Sequence, residues 1–255
     1  MRCALACGLF AALCLMAGMG QAEDRLPGSA FMSPALRALQ NDPAANPALL
    51  SIMDGQALWT QKAGAQDTSC AACHGDAADS MRGVAARYPA PDKSSGKVMT
   101  LAQKINQCRN VRQQATAYRA EDQHLLALAA YILSLSDGMP IAPPSGVAMT
   151  RTQRLGKQIY QLRQGQLNLS CAQCHDDHAG RHLAGAAIPQ AHPTGYPIYR
   201  LEWQAMGSLQ RRLRGCLAGV RARVPEYDSD QLVALEAYLM MRAKGMKIEA
   251  AAIRP

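Results

Sequence analysis

The sequence predicts an all-α protein built from two tandem helical domains, and three observations carry that expectation. Segments of the first half return in the second. Gly55-Gln56-Ala57-Leu58-Trp59 matches Gly156-Lys157-Gln158-Ile159-Tyr160, Tyr88-Pro89 matches Tyr196-Pro197, and Leu128-Ala129-Ala130-Tyr131-Ile132 matches Leu235-Glu236-Ala237-Tyr238-Leu239. The copies lie 101 residues apart at the first match and 107 or 108 apart at the later ones, so one duplication with a short insertion accounts for all of them. The matched segments carry apolar residues at helical intervals: Leu125, Leu128, Ile132 and Leu135 in one copy, Leu232, Leu235 and Leu239 in the other. Between the copies, residues 136–150 contain Gly138, Pro140, Pro143, Pro144 and Gly146 and read as a linker.

Taken in order, Arg2 precedes an apolar run over residues 3–19 and then Gly20-Gln21-Ala22. Charged, apolar and small-residue regions in that order form a secretory leader, so residues 1–22 are expected to be cleaved off near Ala22. Residues 23–46, with Pro27, Pro34 and Pro43, form an N-terminal arm holding at most a short helix around residues 35–40. Residues 47–140 form the first domain, opening on a helix through Leu49, Ile52, Met53 and Trp59 that ends near Gly64. Residues 141–255 form the second domain, which gains a loop between His175 and Tyr196 containing His178, His182 and His192. The formal charge is +8, and a basic excess favours anionic substrates or acidic partners. Nucleic acid does not suit an exported chain. No apolar run beyond the leader is long enough for a membrane span, so the mature protein is expected to be soluble.

Each copy contains CxxCH: Cys70-Ala71-Ala72-Cys73-His74 and Cys171-Ala172-Gln173-Cys174-His175. This is the attachment signature of a c-type haem. Cys70 and Cys73, and likewise Cys171 and Cys174, add across the vinyl groups, while His74 and His175 reach the iron from one side. Four such thiolates could instead hold zinc. That leaves both histidines without a role and sets the halves too far apart in sequence for a compact ribbon. Two covalently bound haem c groups are therefore expected. A helix before the motif, a loop, a helix carrying a further cysteine and a final helix make each unit resemble a class I cytochrome c domain. In that fold the first and last helices cross beside the haem, and Ala127, Ala130, Ala234 and Ala237 allow a close approach.

Of nine cysteines, Cys3, Cys7 and Cys14 leave with the leader and four go to haem, which leaves Cys108 and Cys216. Three readings compete: a disulfide, inert buried thiols, and ligation of iron opposite the histidine. The two cysteines stand at the same distance after their Tyr-Pro pairs. Equivalent sites in tandem domains usually lie farther apart than the Cα separation of about 7 Å that a disulfide tolerates. Inert burial does not explain why both copies have one. The residues therefore favour Cys108 and Cys216 as axial ligands. Methionine is the usual alternative, but in the register that aligns these cysteines Met99 faces Gly207, and Met99 and Met206 both fit as helical core residues. His124, His178, His182 and His192 fit as surface or loop residues. An anionic sulfur ligand lowers the potential and points toward sulfur chemistry at the iron.

Met206, Leu209, Leu213, Cys216 and Val220 fall at helical spacing, so an inward stripe is expected to carry Cys216. Arg212 lies one turn before Cys216 on the same side. A guanidinium there favours a thiolate and offers a fork to an oxyanion. Arg211, Arg214 and Arg223 read as a solvated face. The first copy has Lys104 at the Arg212 position, with only Arg109 and Arg112 nearby.

Two CxxCH motifs, a cysteine after each, and Arg212-Leu213-Arg214-Gly215-Cys216 followed by Val220-Arg221-Ala222 resemble the SoxA family over residues 47–245. These are the dihaem subunits of the thiosulfate-oxidising cytochrome of the Sox pathway. The resemblance implies an L-cysteine S-thiosulfotransferase in the periplasm, paired with a small SoxX-type cytochrome subunit. It implies that thiosulfate is joined oxidatively to a cysteine of the carrier protein SoxYZ, with electrons passing to haem and on to a downstream acceptor. It further implies Cys216 as the catalytic residue, often found as a persulfide in the family, and Arg212 as the substrate-binding residue. Arg223-Val224-Pro225 departs from the family, being longer than its usual approach to the proline. The runner-up is a dihaem electron-transfer cytochrome without catalysis of its own, which would favour Met99 and Met206 as ligands. A dihaem peroxidase is a third reading.

Overall fold

Ser33 opens the first helix, α1 (Pro34–Asn41), by accepting from the Leu36 amide. Pro34 stands in the first turn, where its missing N–H has no partner to lose. A computed structural model describes residues 25–255, and the leader expected at residues 1–22 lies outside the described residues. The first half continues with α2 (Ala48–Thr60), α3 (Cys70–His74), α4 (Ala77–Ser80), β1 (Ala90–Pro91), β2 (Val98–Met99), α5 (Leu101–Cys108) and α6 (Gln123–Ser134). The second half repeats the order: α7 (Val147–Gln161), α8 (Cys171–His175), a hairpin of β3 (His182–Leu183) and β4 (Ala186–Ala187), β5 (Ile198–Arg200), β6 (Ala205–Gly207), α9 (Leu209–Gly219) and α10 (Asp230–Arg242). A last strand, β7 (Ile253–Arg254), pairs in parallel with β5.

In each half two long helices, α2 with α6 and α7 with α10, cross at a glycine. A Cβ on Gly55 would lie 2.1 Å from the Ala127 carbonyl oxygen, and one on Gly156 would lie 1.9 Å from that of Ala234. Backbone meets backbone there, so only hydrogen fits. One turn on, Trp59 meets Tyr131 edge-on at 6.3 Å, and Tyr160 meets Tyr238 at 5.3 Å. The tandem cytochrome c fold is thus built as the repeat implies.

The molecule is not strictly all-α. Short strands turn the chain between each Tyr-Pro pair and the helix carrying the further cysteine. Their register repeats, Ala90↔Met99 reappearing as Ile198↔Gly207. Strands of two or three residues are too short to show alternation in a sequence. They also move the methionines, since Met99 lies in β2 and Met206 in β6, not in helices. The α9 helix begins only at Leu209, capped by the Ser208 hydroxyl, so Met206 stands outside the stripe that carries Cys216. The linker is likewise shorter than expected, because α7 starts at Val147.

The halves share their cores. Helix α6 buries Leu126 and Ala130 as well as Leu125, Leu128 and Ile132, because Leu126 and Ala130 pack with Met206 of the second half. The segment after α10 returns to the first half. Ala243 and Ile248 join Trp59, Ile132 and Leu133 in one cluster. The Gly138 amide donates to the Ile248 carbonyl at 2.9 Å, and the Ile141 amide donates to that of Met246 at 2.8 Å. The arm then meets this tail. The Asn46 amide group donates to the Ala251 carbonyl, and the Ile253 amide donates to Gln40.

Candidate active site

Each CxxCH is one capped helical turn. Ser69 accepts from the Ala72 amide ahead of α3, and Ser170 accepts from the Gln173 amide ahead of α8. The first cysteine, the second at i+3 and the histidine at i+4 therefore share one helix face.

In the first half this face looks into a cavity of about 270 Å³. Cys70, Cys73, His74 and Cys108 all line it, against Trp59, Val84, Leu101, Ile105 and Leu128. Burial pushes the Cys70 thiol up, and the neighbouring Cys108 adds to that. The buried Gln113 Oε1 on the cavity wall has no protein partner. An apolar slot holding two thiols, a histidine and an opposed cysteine fits a covalent haem. Cys108 sits where α5 passes into a π-helical turn, Arg109–Gln113. The Trp59 indole donates to the Gly75 carbonyl at 3.1 Å and lies 5.8 Å from the His74 ring. Lys104 is closed off. Its ammonium donates to Asp92 at 2.9 Å and to Gln107 at 2.6 Å. Asp92 is buried, and hydrogen bonds from Ser94 and then Lys104 hold its carboxyl well below the usual carboxylate range.

In the second half the His175 Nδ1 lies 2.7 Å from the Pro189 carbonyl. That carbonyl can only accept, so Nδ1 carries the proton and Nε2 is left unprotonated, able to ligate a metal. Burial pulls His175 below the ordinary histidine range, which suits a neutral ligand. Tyr160, at the Trp59 position, donates to Asp176 at 2.8 Å, and Arg242 pairs with the same carboxylate at 2.6 Å. Burial pushes the Cys171 thiol up to about 11, with Cys216 the next contributor. Each extra cysteine is thus set against its own CxxCH, and Cys108 and Cys216 are not disulfide-bonded. Met206 is buried between the halves with Ala48 and Leu126.

The arginines of α9 differ in their surroundings. Arg211 stacks on Trp203 at 4.1 Å. Arg214 stacks on Tyr227 at 4.2 Å and donates to the Pro225 carbonyl. Neither is the freely solvated residue the sequence suggested, because Trp203 and Tyr227 come from segments outside the helix. Arg212 is half-buried, and its side chain has no hydrogen-bond, ion-pair or ring partner among the described residues. Its charge acts on His175 and on half-buried Tyr196, which also feels Cys216.

Two residues here, Pro189 and Asp92, escaped the sequence reading, and a third, His192, was read as a surface or loop residue. Pro189 lies in the inserted loop, which drew notice only for its histidines. His192 of that loop is buried and contacts the Leu26 carbonyl at 2.9 Å. Asp92 becomes visible only when the two copies are aligned residue by residue.

A family model described as the cytochrome c domain of SoxA and TsdA matches residues 54–141 and again residues 155–248. The SoxA subunit of L-cysteine S-thiosulfotransferase from Pseudaminobacter salicylatoxidans is 35% identical over 91% of this chain and 82% of its own length. That of Rhodovulum sulfidophilum is 33% identical over 89% and 79%. A chain of the crystal structure of SoxXA from P. pantotrophus superimposes with a TM-score of 0.87 at 31% identity, covering 91% of this chain and 87% of that one. The doubled cytochrome c fold, the paired CxxCH turns and these relatives together place the chain in the SoxA family.

Proposed function

We propose that this chain is the catalytic haem-bearing subunit of a periplasmic L-cysteine S-thiosulfotransferase. It carries two haem c groups, one in each of the domains 47–140 and 141–255. Cys70 and Cys73 would hold one covalently and Cys171 and Cys174 the other, with His74 and Cys108, and His175 and Cys216, as the residues that would bind the two irons. A SoxX-type small cytochrome completes the enzyme, and the SoxYZ carrier supplies the acceptor cysteine. One observation carries this reading: Arg212 stands half-buried and unpartnered one turn before Cys216, whereas its first-half counterpart Lys104 is bonded to Asp92.

Thiosulfate, a dianion, is drawn to the basic face of α9. The Arg212 fork holds its sulfonate oxygens and points its outer sulfur toward Cys216, the catalytic cysteine. The overall change joins the carrier thiol sulfur to the outer sulfur of thiosulfate, releasing one proton and two electrons. The haem of the second domain, when bound, would supply a one-electron sink, emptied to a downstream acceptor after each of the two electrons. The His175–Pro189 hydrogen bond keeps that histidine in one tautomer throughout.

Replacing Cys216 by Ser is expected to abolish conjugation and to change one haem spectrum. Arg212→Ala is expected to leave the spectrum intact and lower kcat/KM by about ten- to a hundredfold, the loss of one charge-assisted hydrogen bond worth about 1.5–3 kcal/mol. Arg211→Ala is the control, since its guanidinium rests on Trp203. Equal damage from Arg211→Ala would replace a positioned fork by a diffuse field.

A further inference from the structure

Arg200 stands in the second half where Asp92 stands in the first. The offset of 108 residues that aligns Lys104 with Arg212 and Cys108 with Cys216 also aligns these two. The strand ladders agree pair for pair, Ala90↔Met99 and Pro91↔Val98 corresponding to Ile198↔Gly207 and Tyr199↔Met206. In the first half the cation before the cysteine is neutralised by a carboxylate whose side chain is 3% exposed. In the second half that carboxylate is replaced by a second guanidinium.

The Arg200 side chain is 12% exposed. One terminal nitrogen donates to Glu202, an exposed rim residue, at 2.8 Å, and the guanidinium lies 5.0 Å from the Trp203 ring. Its Nε is buried without a hydrogen-bond partner. Burial, and after it the charge of Arg212, pulls Arg200 below the ordinary arginine range. A buried orphan donor beside a like charge is unfavourable until something anionic accepts from it. A doubly charged oxyanion relieves both the repulsion and the missing hydrogen bond.

We propose that Arg200 is a second substrate-binding residue, forming with Arg212 a two-guanidinium clamp for the oxygens of thiosulfate. The change from Asp92 to Arg200 between the copies then confines substrate capture to the second half. This rests on thiosulfate being the substrate. The clamp requires a dianion, so monoanions of similar size bind less tightly.

The test is calorimetric titration of the oxidised holoprotein with thiosulfate, comparing wild type, Arg200→Met and Arg200→Lys, with haem potentials measured in parallel. Arg200→Met is expected to weaken binding by about tenfold or more, with Arg200→Lys recovering part and the haem potentials unmoved. Binding by Arg200→Met within about twofold of wild type overturns the clamp. So does a shifted haem potential with unaltered binding, which would make a haem carboxylate the partner of Nε. If Arg200→Met does not fold, Glu202→Gln decides. Freed of its rim carboxylate, Arg200 should bind thiosulfate about twofold more tightly, and unchanged or weaker binding overturns the proposal. Wild type that binds thiosulfate through Arg200 without conjugating it to the carrier leaves the clamp standing and removes the proposed activity. Wild type that binds none removes both.

Discussion

Glu236 of α10 lies against Gln210 of α9, whose side-chain amide donates to it at 3.4 Å. Burial there lifts its carboxyl from 4.5 to about 7, with Gln210 opposing and Asp228 adding to the rise. The folded protein therefore holds this proton after the unfolded chain has released it, and stability falls as pH rises from about 4.5 to 7. Replacing Glu236 by Gln should remove that slope. The variant should match wild type at pH 5 and show the higher Tm at pH 8, followed by circular dichroism; a parallel decline in both proteins would refute the assignment. At this scale the sequence was legible wherever a helix sets the neighbours. Arg212 and Cys216 are four residues apart in one helix, and Lys104 and Cys108 share that spacing. It was opaque wherever a loop supplies the partner, as with Pro189 behind His175, because a backbone carbonyl has no residue signature. One further expectation belongs here. Cys108→Ser should alter one haem spectrum and leave thiosulfate turnover largely intact, since Lys104 beside it is already paired with Asp92. Loss of turnover in a folded variant would relocate the chemistry.

At the scale of elements, the same substitution should act with opposite signs at two helical glycines. Gly156→Ala places a methyl against the Ala234 carbonyl, and overpacking of this kind costs about 1–3 kcal/mol, outweighing the helix propensity gained. A methyl added at Gly215 in α9 would meet nothing within 4 Å, so Gly215→Ala should stabilise by up to about 1 kcal/mol. Urea midpoints measure both. Destabilisation of similar size at the two sites would refute the helix-crossing account. The crossing helices were readable because glycine, alanine and aromatic residues recur at matched positions in both copies. The strands were not, and one consequence was the placement of Met206 in a helix. A ladder of two or three pairs is decided by the turn it closes, and the residues within it need show no pattern of their own.

For the whole molecule, the duplication was visible in the sequence, but the exchange of core residues between the copies was not. Met246 and Ile248 follow α10, the last helix of the second half, yet complete the first half in space. No repeat can reveal this, because residues 246–255 have no counterpart inside the first copy's helices. Deleting residues 246–255 is therefore expected to loosen the first half selectively. Thermal melts followed at the haem bands should show a single transition in the intact chain and an earlier separate transition of the first haem in the truncated one. Coincident transitions in the truncated protein would mean that the tail is dispensable.

The tail also sets an order in time. The first CxxCH leaves the ribosome long before Ile248, the residue that closes the core around Trp59 and Ile132. Until Ile248 has been added, that core lacks one of its buried side chains. Haem attachment at Cys70 and Cys73 would then take place on an open chain, and the arrival of Ile248 is the event that completes the core behind it.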